Sequence, residues 1–437
     1  MLDQLRAVSG CFAFKPAVSA GCSPSFTGSR EPGRVSTRAG LAPPLYYALT
    51  GAPLRTFPSS RGLYAARLVS ASIAAALVAT AITLASRSRS PLLIAGIVVA
   101  WTPMSLFLTG VLSPNGLELA AALLLWVSAA IFLSSRDDAR PDPLLAAGLG
   151  LACSAYALSR QLSPLWVLLT LVCLAPLLTR SRLRQLVRRS GMRLAMALSA
   201  ASIAAATLWL VGMRPLTSPR GSRGPEQSTF DAVATSFGRL GVLYRQAIGT
   251  FGWLDTPSPN VVVWTWTGLL ATLLVIAFAL GGRRWKVSLA LCAITTIVVP
   301  PLIEASQVEV QGLVWQGRYT LPLAMGLPIL AGRAADLSAR NVADWAAIAK
   351  VVVLLAVPMQ GVAYYVALRR YAVGVFGPVW FVGSSQWQPP IPTWSLLVLG
   401  CGTLLVAAAG LVHLIATSST GAEDAPDTTR TTQGATT

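Results

Sequence analysis

Charge-free apolar runs, each about as long as a bilayer-crossing helix, recur along the 437 residues of this chain and constrain its fold more than any other feature. Crossing hydrocarbon takes roughly 20 mostly apolar residues in a helix, and repeated runs of that length have few other uses. We read eleven of them, at about 64–85, 91–112, 115–134, 143–159, 163–179, 191–212, 260–280, 286–303, 319–333, 345–368 and 394–416. Charged residues make up 11% of the chain and hydrophobic ones 54%, whereas a soluble domain carries about 25% charged residues. A water-soluble globular enzyme is therefore excluded, and most of the chain is too apolar for disorder. The expected fold class is all-α: a polytopic integral membrane protein of about 11 transmembrane helices. From Ser90 to Ser135 the only charge is Glu118, and Ser113-Pro114-Asn115-Gly116 breaks the stretch into two helices joined by a tight turn. The run 319–333 is short and holds Pro322 and Pro328.

Orientation follows from the basic residues of the short loops. One alternating set carries Arg87, Arg89, Arg136, Arg140, the Arg180–Arg189 cluster, Arg283, Arg284, Lys286, Arg333 and Arg340; the other carries Arg160, Arg318, Arg369 and Arg370. Fourteen against four places the first set in the cytoplasm. Residues 417–437 then form a cytoplasmic tail, Ser/Thr/Gly-rich and expected to be disordered. Residues 1–63 lie outside, and 64–416 form the polytopic domain, with long outer loops at 213–259 and 371–393. Met1 to Gly10 has no apolar core of a signal peptide. The external segment is thus expected to follow a helix upstream of Met1, unless residues 39–54 make a twelfth span. Three prolines in sixteen residues suit that stretch better to an interfacial or re-entrant piece.

With this topology the candidate acids and bases on the outer face are Asp3, Glu31, Glu118, Glu226, Asp231, Asp255, Glu304 and Glu309. Asn115 and Glu118 share a helix face, either as a cap and a favourable charge at the helix start or as part of a site. Asp255, before Pro257, either caps a turn or faces a ligand. Glu304 precedes Gln316 and Arg318. Arg318, Arg160 and Arg245 are the candidates for holding a phosphate, though a guanidinium at a helix end also snorkels. Cys11 and Cys22 lie outside the spans and either pair or stay as thiols. One histidine and no CxxC pattern leave no zinc site. Phe230, Val233, Phe237, Leu240 and Tyr244 predict an amphipathic surface helix, and Tyr371, Phe376, Trp380, Phe381 and Trp387 an aromatic platform at the interface.

Five segments carry a resemblance: Cys11-Phe12-Ala13-Phe14-Lys15-Pro16, Pro43-Pro44-Leu45-Tyr46-Tyr47, Ser113-Pro114-Asn115-Gly116-Leu117-Glu118, Phe251-Gly252-Trp253-Leu254-Asp255 and Trp315-Gln316-Gly317-Arg318-Tyr319. From about Cys11 to the last helix, the chain resembles a bacterial multispan family catalogued as domain of unknown function 2142. That family is grouped with the GT-C glycosyltransferases. The resemblance implies a GT-C-like enzyme of the bacterial cell membrane that takes a sugar from a polyprenyl-phosphate carrier on the outer face, for cell-envelope glycan assembly. It also implies Tyr46 and Tyr47 as substrate contacts. The aspartate base usual in the first external loop of such enzymes has no motif here. Asp3 is the only aspartate before the double proline, and Ala42 stands where a histidine often does.

The chemistry expected is an inverting transfer in which Glu118, Asp255 or Glu304 deprotonates the acceptor hydroxyl. Tyr46, Tyr47, Asn115, Arg160, Arg245, Gln316 and Arg318 would bind substrate, with or without a divalent metal ion. The alternatives are a non-catalytic binding or transport protein for lipid-linked glycans and a truncated, inactive homologue. The net charge of +18 divides into +9 on each side of the expected membrane. The inner half follows from the loop rule; the outer half points to an anionic partner on that face, such as a phospholipid surface or a polyprenyl phosphate, and nucleic acid is not expected.

Overall fold

A computed structural model describes residues 10–24, 38–135, 142–213, 228–338, 342–387 and 389–420. Asp3, Glu31, Glu226 and residues 421–437 of the tail lie outside these, as do most of residues 1–37. The described chain is almost entirely helical, with one two-stranded hairpin.

Helices α1 (Leu45–Thr56) and α2 (Ser60–Arg87) lead into a broken pair, α3 (Pro91–Ala100) and α4 (Pro103–Gly110). There follow α5 (Pro114–Ser134), α6 (Pro143–Ala157), α7 (Ser163–Leu174), α8 (Arg180–Arg188) and α9 (Ser190–Met213). Two short helices, α10 (Thr229–Gly238) and α11 (Leu240–Gly249), precede the hairpin β1 (Thr250–Phe251) and β2 (Thr256–Pro257). The rest is α12 (Asn260–Leu280), α13 (Arg283–Ser306), α14 (Val308–Gln311), α15 (Leu321–Ala324), α16 (Gly326–Asp336), α17 (Val342–Val373) and α18 (Thr393–Thr420).

Among the described residues seven helices are long and apolar enough to cross a membrane, or eight with the α3–α4 pair counted as one span bent by 64°. The eleven expected spans are therefore not all single crossing helices. Residues 91–112 break at Trp101-Thr102-Pro103, because proline removes a backbone donor and clashes with the preceding turn. Residues 143–159 and 163–179 form shorter helices, Pro143–Ala157 and Ser163–Leu177. Residues 319–333 split into a 3-10 turn at Gly317–Tyr319, then α15, then α16, with prolines near the start of each helix. The stretch 39–54 is a 3-10 turn at Arg38–Leu41 followed by the twelve-residue α1. The amphipathic segment is two helices, α10 and α11, broken at Arg239, and Tyr371 belongs to α17 rather than to a loop.

The apolar character of α5 extends all round it, and such a helix buries every face. Its crossing window is 94% buried, with α2, α4, α6 and α16 packed about it. Trp126 on α5 donates its indole N–H to the Pro322 carbonyl at 3.0 Å, and its ring lies against Gly326. By contrast α9 packs mainly on α6, and α18 mainly on α17, and both turn most of their surface outward, as lipid-facing helices do. Helices α3 and α16 approach with glycines at the contact. A Cβ on Gly332 would stand 2.1 Å from the Leu92 carbonyl oxygen, and one on Gly96 2.4 Å from that of Pro328.

Polar loops gather at the two ends of the bundle. At one end Arg87 pairs with Asp142, Arg333 reaches Ser90 and Ser134, and Asp336 accepts the Leu92 and Leu93 N–H groups at 3.0 and 2.9 Å. The loops around Tyr47, Glu118, Arg160, Asp255, Glu304 and Arg318 meet at the other.

Substituting Gly332→Ala should force α3 and α16 apart at a cost of about 1–3 kcal/mol. Thermal unfolding in detergent measures this as a lower midpoint; an unchanged midpoint would contradict the close contact.

Candidate functional site

Four segments distant in sequence converge at the second end of the bundle. Ser113 caps α5, accepting the Asn115 N–H, and Pro114 occupies the first helical turn, where its missing donor costs nothing. One turn on, Glu118 faces the α6–α7 connection. It accepts from Ser163 Oγ at 2.7 Å and from Arg160 Nη1 at 3.1 Å, and its side chain is 1% exposed. The Arg160 guanidinium lies 4.8 Å from the centroid of the Tyr319 ring, and that of Arg318 lies 5.7 Å from the same centroid. Burial opposes the charge on Arg160, but Glu118 and Tyr319 outweigh it and hold the guanidinium above its ordinary pKa. Tyr47 is on the rim. Burial raises its hydroxyl and the nearby Arg160 charge offsets part of the rise.

Arg318 differs from its neighbours. It forms no ion pair among the described residues, and its Nε is buried without an acceptor. Asn115 Oδ1 and Gln316 Oε1 are also buried without donors. Gly317 puts Arg318 in place. Its N–H donates to Gln246 Oε1 at 2.9 Å, and a Cβ there would stand 1.9 Å from the Leu243 carbonyl oxygen, so only glycine lets this turn lie against α11. Tyr46, by contrast, turns inward and is 3% exposed, its hydroxyl 3.1 Å from Ser70 Oγ on α2.

A second cluster forms around Asp255. The hairpin pairs Thr250 with Pro257 and Phe251 with Thr256, and both Gly252 and Leu254 in its turn take positive φ, +63° and +66°. A Cβ on Gly252 would stand 2.6 Å from Asp255 Oδ1. Arg370, near the end of α17, meets Asp255 at 2.8 Å and donates as well to the carbonyls of Phe12, Lys15 and Val18. Those carbonyls belong to a loop closed by the Cys11–Cys22 disulfide, whose Cα atoms are 6.0 Å apart. Phe12 packs edge-on against Trp253 and Tyr371, and Tyr371 lies beside Trp387. Phe376 and Trp380 of the aromatic stretch project outward. Arg245 belongs here, donating to Asn260, and not beside Arg318.

Glu304 is the hub of a third cluster. It accepts from Ser236 Oγ at 2.6 Å, from the Trp315 N–H at 2.7 Å and from Arg239 at 3.4 Å, which ties α10 and the 312–316 loop to the end of α13. Trp315 in turn contacts Trp166 and Tyr319, so this cluster backs onto the first.

Each of the three expected carboxylates thus accepts from an arginine, and they occupy three separate clusters. Among the described residues no group of three or more His, Cys, Asp or Glu could hold a metal ion, so no metal-dependent step is derived. Reasoning from sequence did not single out Tyr319, Trp315, Arg239 or Arg370 as site partners. For Arg370 a signal existed: two adjacent arginines at the exit of a long apolar helix need acceptors close by.

Breaking the Arg370–Asp255 pair should cost about 3–5 kcal/mol, because removing one partner of a buried ion pair strands the other. Arg370→Met should therefore lower the thermal midpoint sharply, and adding Asp255→Leu should restore part of it. Equal midpoints for Arg370→Met and the parent would sink this account.

No curated protein matches the chain, and no solved structure does. A family model described as "Predicted membrane protein (DUF2142)" matches residues 4–327. It takes in every segment described above as far as Tyr319 and ends before α17, so Arg370 and the last two helices lie beyond it. Several apolar helices, charged clusters confined to the bundle ends and this match agree: the chain is a multi-pass membrane protein belonging to the family of domain of unknown function 2142.

Proposed function

We propose that this protein is a GT-C-like glycosyltransferase of the bacterial cell membrane that takes a sugar from a polyprenyl-phosphate carrier. The working end is the one bearing Glu118 and Arg318, which the distribution of arginines among short loops puts outside the cytoplasm. The observation that carries the reading is Arg318, a guanidinium with no carboxylate partner among the described residues, sharing the Tyr319 ring with a second arginine, Arg160. A partly buried guanidinium such as this attracts a phosphate, since it offers two parallel donors matched to two oxygens. A phosphate that leaves the anomeric carbon gains charge, and a preorganised arginine stabilises that charge more than it stabilises the bound donor. Arg160 adds to the field, and Glu118 and Tyr319 hold it in position. Glu118 is the carboxylate that pairs with Arg160 beside this anion site. To take a proton from an acceptor hydroxyl it must first give up its bond to Ser163 or to Arg160.

That requirement favours a second reading, in which the same site binds a lipid-linked glycan without transferring its sugar. All three expected carboxylates are committed to arginines, which suits recognition better than proton transfer.

Binding and turnover of a radiolabelled polyprenyl-phosphate sugar by the purified protein separate the two. Arg318→Gln should weaken binding at least about tenfold, and Arg318→Lys should recover only part, because lysine keeps the charge but not the fork. Transfer that Glu118→Gln abolishes while binding persists identifies the enzyme. Arg318-dependent binding with no transfer identifies the binder. If Arg318→Gln binds as tightly as the parent, both readings fail.

A further inference from the structure

We infer that the same end of the bundle holds a second anion site, separate from Arg318 and built to take a phosphate group. It is a cavity of about 360 Å³ between the hairpin, the start of α12 and the end of α17. Among the described residues Arg245, Arg369, Arg370, Thr256, Ser258 and Asn260 line it with four apolar residues and no carboxylate.

Charge accounting makes it an anion site. Asp255 neutralises Arg370, whose donors are taken up by that carboxylate and by three carbonyls of the 11–22 loop. Among the described residues the other two arginines meet only neutral oxygens: Arg369 donates to the Gly377 and Pro378 carbonyls, and Arg245 to the Asn260 amide. Two positive charges therefore remain in a concave, partly desolvated place, where an added anion is favoured far more than in open solvent. The 21-residue α12 begins at this wall with no side-chain cap, so the positive end of its dipole adds to the same field. Ser258, which also lines the cavity, is 4% exposed and its hydroxyl has no hydrogen-bond partner. Two guanidiniums, the Ser258 hydroxyl and a helix start suit a dianionic phosphate better than a single carboxylate, while the Thr256 hydroxyl donates to Asp255 at 2.9 Å.

Helix α11 separates this site from the first. Gln246 faces Gly317 and the Arg318 turn, while Arg245, the residue before it, faces the cavity. The protein therefore presents two phosphate-class sites side by side, and the second does not depend on what happens at Arg318. The phosphate can belong to a soluble molecule or to the headgroup of a neighbouring lipid.

The test uses the full-length protein in phosphatidylcholine nanodiscs, with inorganic pyrophosphate as probe and the thermal midpoint as readout. Pyrophosphate should raise the midpoint of the parent and of Arg318→Gln. In Arg245→Gln/Arg369→Gln the concentration needed for the same shift should rise at least about tenfold. If that double variant fails to fold, Arg245→Gln alone, at an exposed position, gives the same readout. Nanodiscs containing phosphatidylglycerol test the lipid source: a shift without pyrophosphate that also depends on Arg245 and Arg369 assigns the site to a headgroup. The inference is overturned if neither pyrophosphate nor phosphatidylglycerol shifts the parent. It is overturned as well if the shift disappears in Arg318→Gln and survives unchanged in Arg245→Gln/Arg369→Gln.

Discussion

Backbone groups released where a helix breaks inside an apolar bundle must find partners, because hydrocarbon offers none. Much of this molecule can be understood from how it meets that demand at the α3–α4 break. Pro103 leaves carbonyls exposed at the end of α3. Trp266 on α12 donates to the Val99 oxygen at 2.9 Å, and Gln360 on α17 donates to that of Trp101 at 2.7 Å. Thr102 completes the corner by donating to the Ala247 carbonyl on α11. Three side chains thereby lock three separate elements, α11, α12 and α17, to one break. At the far end of α3, Asp336 takes two of the N–H groups that every helix start leaves unpaired. The break is thus a joint held from both ends, and it fixes α4 against α5 and α11.

The loops around Glu118, Asp255 and Glu304 face the opposite problem, since there charge rather than backbone must be satisfied. Each cluster solves it with one carboxylate and one arginine, and each pair joins segments that local structure alone would leave apart. Glu118 ties α5 to the α6–α7 turn, Glu304 ties α13 to α10, and Asp255 ties the hairpin to the end of α17. Arg370 extends its cluster further by gathering the carbonyls of the disulfide loop. Arginine suits this work because one planar group serves several acceptors at once. Arg318 in one place, and Arg245 with Arg369 in another, form no ion pair among the described residues.

The division between these two problems marks how far the sequence could be read. The long spans were legible because twenty apolar residues in a row satisfy their own backbone as a helix whatever surrounds them. The α3–α4 break was less so: Pro103 is visible, but whether a proline kinks a span or ends it depends on neighbours able to partner the freed carbonyls. Glu118, Arg160 and Arg318 could be picked out as polar residues at helix exits, and they do meet. Arg245 was grouped with them on residue type alone, yet α11 turns it away from Gln246's neighbours. Tyr46 and Tyr47 are adjacent in one motif, yet helical geometry sends the first into α2 and the second to the rim.

By itself the sequence determined the class of the molecule, an α-helical membrane protein with its charge gathered toward helix ends and connections, since apolar length and the cost of charge in lipid are properties of each segment alone. Only the tertiary structure decided which carboxylate meets which arginine. Those pairs span from 42 positions, between Glu118 and Arg160, to 115, between Asp255 and Arg370, and no local rule reaches so far. It also decided which arginines keep an uncompensated charge. That follows from the packing of helices around α5, because burial and the distance to the nearest acceptor set the energy of a charge, and neither exists before the bundle forms.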